Sequence, residues 1–216
     1  MVLTRAELHD EALAWPVITS RELAHGRITT YLQEDVRAPD GSEVTREYLR
    51  HPGAVGILAL DAEQRVALVR QYRHPVRHRL VEPPAGLLDV DGEDFLMSAQ
   101  RELAEEVGLA ANDWRVLVDV FTSPGMASET LRVYLARDLF PADAPEGFLR
   151  EGEEAEMDAV WAPLNDVVDA VLGGDLQNPT VVAGALSAYA ALARGGFETL
   201  RPADAPWPAR SAADRR

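Results

Sequence analysis

Between residues 93 and 107, Leu96, Ala99, Leu103 and Val107 recur every three or four positions. That spacing lines one face of an α-helix. Acidic residues at 91 to 94 suit a helix start, with Asp91 placed as N-cap and Asp94 three residues on. Gly108 lies where a helix end wants a left-handed residue. A helix over 93–107 therefore has one apolar stripe, which must lie against another layer. The same helix carries "RELAEEVGL" at 101–109. At about 100° per residue, Glu102 and Glu106 stack on one flank of the stripe. Glu105 falls toward the solvent side, four residues after Arg101, a spacing suited to an ion pair.

A solvated acidic face is the ordinary reading of such a run. Two features point elsewhere. Glu102 and Glu106 border the apolar stripe, where partial burial makes their repulsion costly. The helix also follows "PPAG" at 83–86, from which a backbone carbonyl can face the same spot. Oxygen ligands at this density suit a hard divalent cation, Mg²⁺ or Mn²⁺.

The remaining chain alternates strand and helix signals. "WPVITSREL", "RITTYLQEDV" and "SEVTREYL" read as β-hairpins in the first fifty residues. "GAVGILAL" and "RVALVRQY", almost continuously apolar, suggest central strands of the main sheet. Residues 80–92 suggest an ordered loop with short strands, and further strands are expected at 114–121, 131–136 and "MDAVWAPL". A Pro, Gly and Glu loop fills 140–156, and helices fit 164–172 and 179–194. The expected organisation is a β-rich N-terminal domain at 1–50, a main domain at 51–200 and a flexible tail at 201–216.

Composition narrows the chemistry. With 36 acidic against 21 basic residues and a net charge of −15, the surface repels nucleic acid and anionic membranes. The absence of cysteine removes disulfides and thiolate chemistry. No apolar run has the length of a signal peptide or a membrane span, so a cytoplasmic location is expected.

"GLLDVDGEDFLMSAQRELAEEVGL", 86–109, resembles the Nudix hydrolase signature, in which a glycine and a glutamate precede R-E-x-x-E-E-x-G and an aliphatic residue. Gly86, Glu93, Arg101, Glu102, Glu105, Glu106, Gly108 and Leu109 fill its fixed positions. Six residues separate Gly86 from Glu93, where the commonest form has five, and the extra one falls before the helix. "VRQYRHPVRHRLVEPPAGLLD", "SPGMASETLRVYLA" and "EEAEMDAVWAPL" are similar to the ADP-ribose pyrophosphatase subgroup, most closely its actinobacterial form.

The resemblance implies an α+β Nudix fold, a mixed β-sheet between helices in α/β/α layers, with a small N-terminal β-domain exchanged in a homodimer. It implies Mg²⁺, with Mn²⁺ as a substitute, bound by the Ala85 carbonyl, Glu102 and Glu106, and by Glu105 when substrate is present. Arg101 would hold the glutamates by ion pairing, with Glu93 in a similar supporting role. The catalytic base would come from "EGEEAEM", where the match favours Glu154 and leaves Glu153 and Glu156 open. Arg73 matches the position contacting the diphosphate; Arg79, Glu82 and Gly125 are the other candidates for substrate binding. Residues alone would make Arg73 and Arg79 surface arginines of an Arg-rich stretch, and the glutamates of 151–156 a solvated loop.

The implied activity is hydrolysis of ADP-ribose to AMP and ribose 5-phosphate. Another nucleotide sugar or nucleoside diphosphate derivative is the alternative. A non-catalytic nucleotide sensor on the same fold fits less well, because every signature glutamate is present and no basic recognition helix is seen.

Overall fold

The computed structural model describes residues 2–90, 92–144 and 157–213. By internal contacts the chain divides into two compact units. The first comprises Met1–His51, Ser123–Ser128 and Pro206–Arg216; the second comprises Pro52–Thr122 and Glu129–Ala205.

In the first unit, β1 (Val17–His25), β2 (Thr30–Arg37) and β3 (Glu43–Arg50) form an antiparallel sheet in that order. Thr30, Leu32, Glu34 and Val36 are buried at every second position of β2, the period of a strand with one covered face. The turn at Ser123–Ser128 ties to β3 through the Leu49 N–H to the Met126 carbonyl (2.9 Å) and the Ser128 N–H to the Leu49 carbonyl (2.9 Å).

In the second unit, β4 (Ala54–Ala59), β7 (Ala85–Leu87), β8 (Leu109–Phe121), β9 (Thr130–Pro141) and β11 (Arg201–Pro202) form a mixed sheet, ordered β11-β8-β9-β4-β7. Only β4 and β9 pair in parallel. Side chains leave β4 alternately. Val55, Ile57 and Ala59 join Ala99 and Leu103 of α1 (Phe95–Val107) on one face. Leu58 joins Val181, Ala185 and Ala188 of α3 (Pro179–Ala193) and Leu164 of α2 (Leu164–Gly173) on the other. Burial on both faces explains why the strand reads as a continuous apolar run. The layers are helix, sheet, helix.

The other apolar run takes a different place. β5 (Arg65–Arg73) is the middle strand of a separate antiparallel sheet, between β10 (Asp158–Pro163) and β6 (His78–Glu82). Periodicity identifies a buried strand, but not its partner.

A further expectation is corrected. The N-cap of α1 is Asp94, whose Oδ1 accepts from the N–H groups of Leu96 (2.9 Å) and Met97 (3.4 Å); Asp91 lies outside the described residues. Asp94→Ala should cost about 1 kcal/mol of stability, measurable by urea unfolding. The described part of the C-terminal segment carries secondary structure. Arg201–Pro202 pairs with Arg115 and Val116, Ala205 and Trp207 are buried, and α4 spans Pro208–Ala213. The isolated Ala205 and Trp207 form no periodic pattern, yet each supplies an apolar anchor.

Candidate active site

The α1 helix packs on β7 and β4, so the flank bearing the glutamates meets the short strand Ala85–Leu87. The Glu106 Oε2 accepts a hydrogen bond from the Ala85 N–H at 3.1 Å, and Glu106 is only 7% exposed. The next residue, Gly86, is covered by Glu102: a Cβ built on Gly86 would fall 2.0 Å from the Glu102 Oε1. Two carboxylates one helical turn apart thus rest on two consecutive residues of one strand. Contact between Ala85 and Glu106 runs through the Ala85 N–H; a carbonyl contribution to a cation would be a separate interaction.

Arg101 gathers the remaining acids. Its Nε and Nη2 donate to the two oxygens of Glu93 at 3.0 and 3.1 Å. Its Nη1 donates to Glu102 at 2.8 Å and to Glu105 at 3.0 Å. The Glu105 side chain is 12% exposed. The expected ion pair between Arg101 and Glu105 forms, and the expectation of a solvent-side Glu105 is corrected, since its side chain is largely covered. Such charge-assisted bonds are about twice as strong as neutral ones.

Glu93 has its pKa lowered, first by the hydrogen bonds from Arg101, while those bonds raise the Arg101 pKa. A lowered folded pKa means that Glu93 contributes stability above the ordinary carboxylate range. That contribution is lost as pH falls through the lower folded value. The urea midpoint should drop on acidification below about pH 4.5, and the drop should be shallower in Glu93→Gln. Equal slopes in the two proteins would sink this assignment.

Glu93, Glu102 and Glu105 share the Arg101 guanidinium, and Glu106 lies one turn from Glu102 on the same flank, so four carboxylates gather around this end of β7. Carboxylates gathered this closely repel one another, and a divalent cation would ease that repulsion. Among the described residues, no three His, Cys, Asp or Glu side chains form a ready-made cage. The donors therefore fit a cation held by one or two carboxylates and completed by main-chain, water or phosphate oxygens, the habit of Mg²⁺.

Arg73 and Glu82 lie on the β5–β6 hairpin of the same unit and form a fork, with contacts of 3.0, 3.2 and 2.7 Å. Arg79 meets Asp158 at 3.3 Å, and Arg70 meets the same oxygen at 3.4 Å. Sequence reasoning passed over Asp158, because its meeting with Arg70 and Arg79 depends on the pairing of β10 with β5. Gly125 belongs to the first unit, in the turn Ser123–Ser128. Glu153, Glu154 and Glu156 lie outside the described residues.

A family model described as "NUDIX domain" matches residues 50–183. An ADP-ribose pyrophosphatase of Mycobacterium tuberculosis is 44% identical over 190 residues, covering 88% of this chain and 89% of the relative. One of Bacillus subtilis is 37% identical over 129 residues, covering 60% and 69%. A solved structure of an ADP compounds hydrolase superposes with a TM-score of 0.69 at 25% identity, covering 88% of this chain and all of that one. With its signature helix seated on Ala85 and Gly86 and its family model spanning most of the second unit, the chain belongs to the NUDIX domain family.

Proposed function

We propose that the protein is a Mg²⁺-dependent pyrophosphohydrolase that cleaves the diphosphate of ADP-ribose to AMP and ribose 5-phosphate. The observation that carries this reading is the seating of Glu102 and Glu106 on adjacent main-chain residues of β7. The names borne by the relatives from Mycobacterium tuberculosis and Bacillus subtilis support the substrate.

Hydrolysis adds water across the P–O–P bridge: the water oxygen joins one phosphorus as hydroxyl, the bond from that phosphorus to the bridging oxygen breaks, the bridging oxygen leaves on the other phosphate, and the water's other proton passes to a base. A bound divalent ion supplies charge neutralisation at the phosphate oxygens and orientation of the water. Glu102 and Glu106 would hold that ion, with the Ala85 carbonyl and, once substrate is present, Glu105. Arg101 keeps Glu102 and Glu105 in place. Arg73 donates charge-assisted hydrogen bonds to a non-bridging phosphate oxygen, with Arg79 on the same approach. Glu154 is the proposed base that takes the proton, with Glu153 and Glu156 as its neighbours in sequence. Gly125 is retained as a candidate for the substrate's far end. These local cations reconcile an anionic substrate with a net charge of −15, whose overall field only slows its approach.

We also read the protein as a cytoplasmic homodimer. All nine residues of β1 are exposed on the outer strand of its sheet, with Val17, Ile18 and Leu23 among them, which supports self-association. Among the described residues, no helix is long and apolar enough to cross a membrane.

The test is product analysis with ADP-ribose, with Mg²⁺, with Mn²⁺ and with chelator, beside a panel of nucleotide sugars and dinucleotides. Metal-dependent appearance of AMP and ribose 5-phosphate supports the reading; preferential turnover of another panel member replaces the substrate. Glu154→Gln should lower turnover by about 10²- to 10⁴-fold with little change in substrate affinity. If Glu153→Gln alone is damaging, the base is one residue earlier.

A further inference from the structure

We propose that Glu82 is a positioning residue that acts on the diphosphate only through Arg73, by holding the guanidinium at a fixed attitude. The proposal rests on the reading of Arg73 as a diphosphate ligand and assigns to Glu82 a role other than direct substrate contact.

Burial comes first. The Glu82 side chain is 3% exposed and that of Arg73 is 39% exposed. The pair is therefore anchored at its acidic end and reaches toward the surface at its basic end. Both oxygens of Glu82 are engaged: Oε1 accepts from the Arg73 Nε, and Oε2 accepts from both Nε and Nη2. A covered carboxylate already occupied by an arginine is a poor partner for a phosphate, which it would repel.

The strand register explains how the two meet. Arg73 is paired with His78 and Glu82 with Val69, at positions of the same parity and hence on one face of the hairpin. The guanidinium must lie back along the sheet to reach Glu82. A side-on grip through Nε and Nη2 directs the Nη1 donors and the second Nη2 hydrogen away from Glu82. A planar guanidinium held on one edge has a preset direction on the other, whereas an ungripped arginine would lose rotamer freedom on meeting an anion.

The connection to the metal-ligand candidates is short and stiff. Glu82 is followed by Pro83 and Pro84, both buried, and then by Ala85. Proline fixes φ at both positions. The Pro84 carbonyl also accepts the Ile57 N–H at 2.8 Å, which fastens the segment to the main sheet. Glu82 therefore links the direction of Arg73 to the place of Ala85 and, through the Ala85 N–H, to Glu106.

The test is a double-mutant cycle in the full-length protein, with wild type, Glu82→Gln, Arg73→Lys and the double variant, assayed with ADP-ribose and Mg²⁺ for kcat and KM. Thermal midpoints are recorded in parallel. Glutamine keeps the size and one acceptor but removes the charge that grips the fork. Glu82→Gln should lower kcat/KM about 10-fold in the wild-type background, the scale of one charged hydrogen bond. It should have less than about a 2-fold effect in the Arg73→Lys background, because the planar fork is already gone. Equal losses in both backgrounds, or a lowered thermal midpoint with unchanged kcat/KM, overturn the proposal. A damaged Arg73→Lys beside a silent Glu82→Gln overturns it while leaving the reading of Arg73 intact. An Arg73→Lys enzyme with wild-type kcat/KM overturns that reading and the proposal with it. Should Glu82→Gln fail to fold, Glu82→Asp, which keeps the charge but withdraws it by one methylene, carries the same expectation.

Discussion

Glu106→Gln should lower turnover of ADP-ribose at saturating substrate and Mg²⁺ by at least about 10³-fold, because a ligand of the catalytic ion contributes several kcal/mol to the transition state. Glutamine is nearly the size of glutamate, and its carbonyl oxygen can still accept the Ala85 N–H that Glu106 holds at 3.1 Å. The far-UV circular dichroism and the elution volume should therefore match those of the wild type. Mg²⁺ titration should show a much weaker response. A Glu106→Gln enzyme of near-wild-type rate would reduce this buried carboxylate to a clasp between α1 and β7.

Gly86→Ala is expected to separate activity from stability. The added Cβ would lie 2.0 Å from the Oε1, 2.1 Å from the Cδ and 2.3 Å from the Cγ of Glu102. No real contact is that close, so one partner must move. The strand is held by its register with Val55 on β4, whereas Glu102 is a side chain that can rotate. Rotation relieves the clash at small cost and removes the carboxylate from its place, together with its 2.8 Å bond from Arg101. Turnover should fall about 10²-fold, on the scale of misplacing a catalytic group by an ångström, with an unfolding free energy changed by no more than about 1 kcal/mol. Adding Glu102→Gln to Gly86→Ala should then cause little further loss. A fully active Gly86→Ala enzyme beside an inactive Glu102→Gln enzyme would show that Gly86 does not hold the Glu102 carboxylate in its working position.

These outcomes also bear on why a fixed glycine precedes the helix by so many residues. Gly108 is a glycine for conformational reasons: it caps α1 at φ 67°, ψ 36°, in the left-handed region. Gly86 is in an extended strand and has no such need. Its requirement is the space that Glu102 fills, which appears only when α1 is laid on β7.

Local physics explains what could be read from the chain alone. The stripe Leu96, Ala99, Leu103, Val107 announces α1, and two of these, Ala99 and Leu103, become fully buried. A helix expected at 179–194 is found as α3, and the structure adds its cap, the Asn178 Oδ1 accepting the Thr180 N–H at 2.8 Å. Periodicity, caps and turns act within a few residues, so they survive in one dimension. The signature at 86–109 is legible for a related reason: Arg101, Glu102, Glu105 and Glu106 lie on a single helix, and Arg101 reaches Glu105 one turn away.

What needed the fold are relations across distance in the chain. The spacing announced the Arg101–Glu105 ion pair, but a helical wheel gives angles only and not how far Glu105 is covered once α1 is packed. Asp158 went unnoticed because its approach to Arg70 and Arg79 depends on β10 lying beside β5. Arg73 was identified, but its fork with Glu82 came from strand register, and the ordered course of Ala205 and Trp207 came from tertiary burial of isolated apolar residues. By itself the chain determined which segments are helix or strand and which carboxylates share a helix flank, since those depend on spacing along the backbone. Tertiary structure alone decided which main-chain atoms those carboxylates meet and which acid holds each arginine, because such contacts are set by how sheets and helices pack.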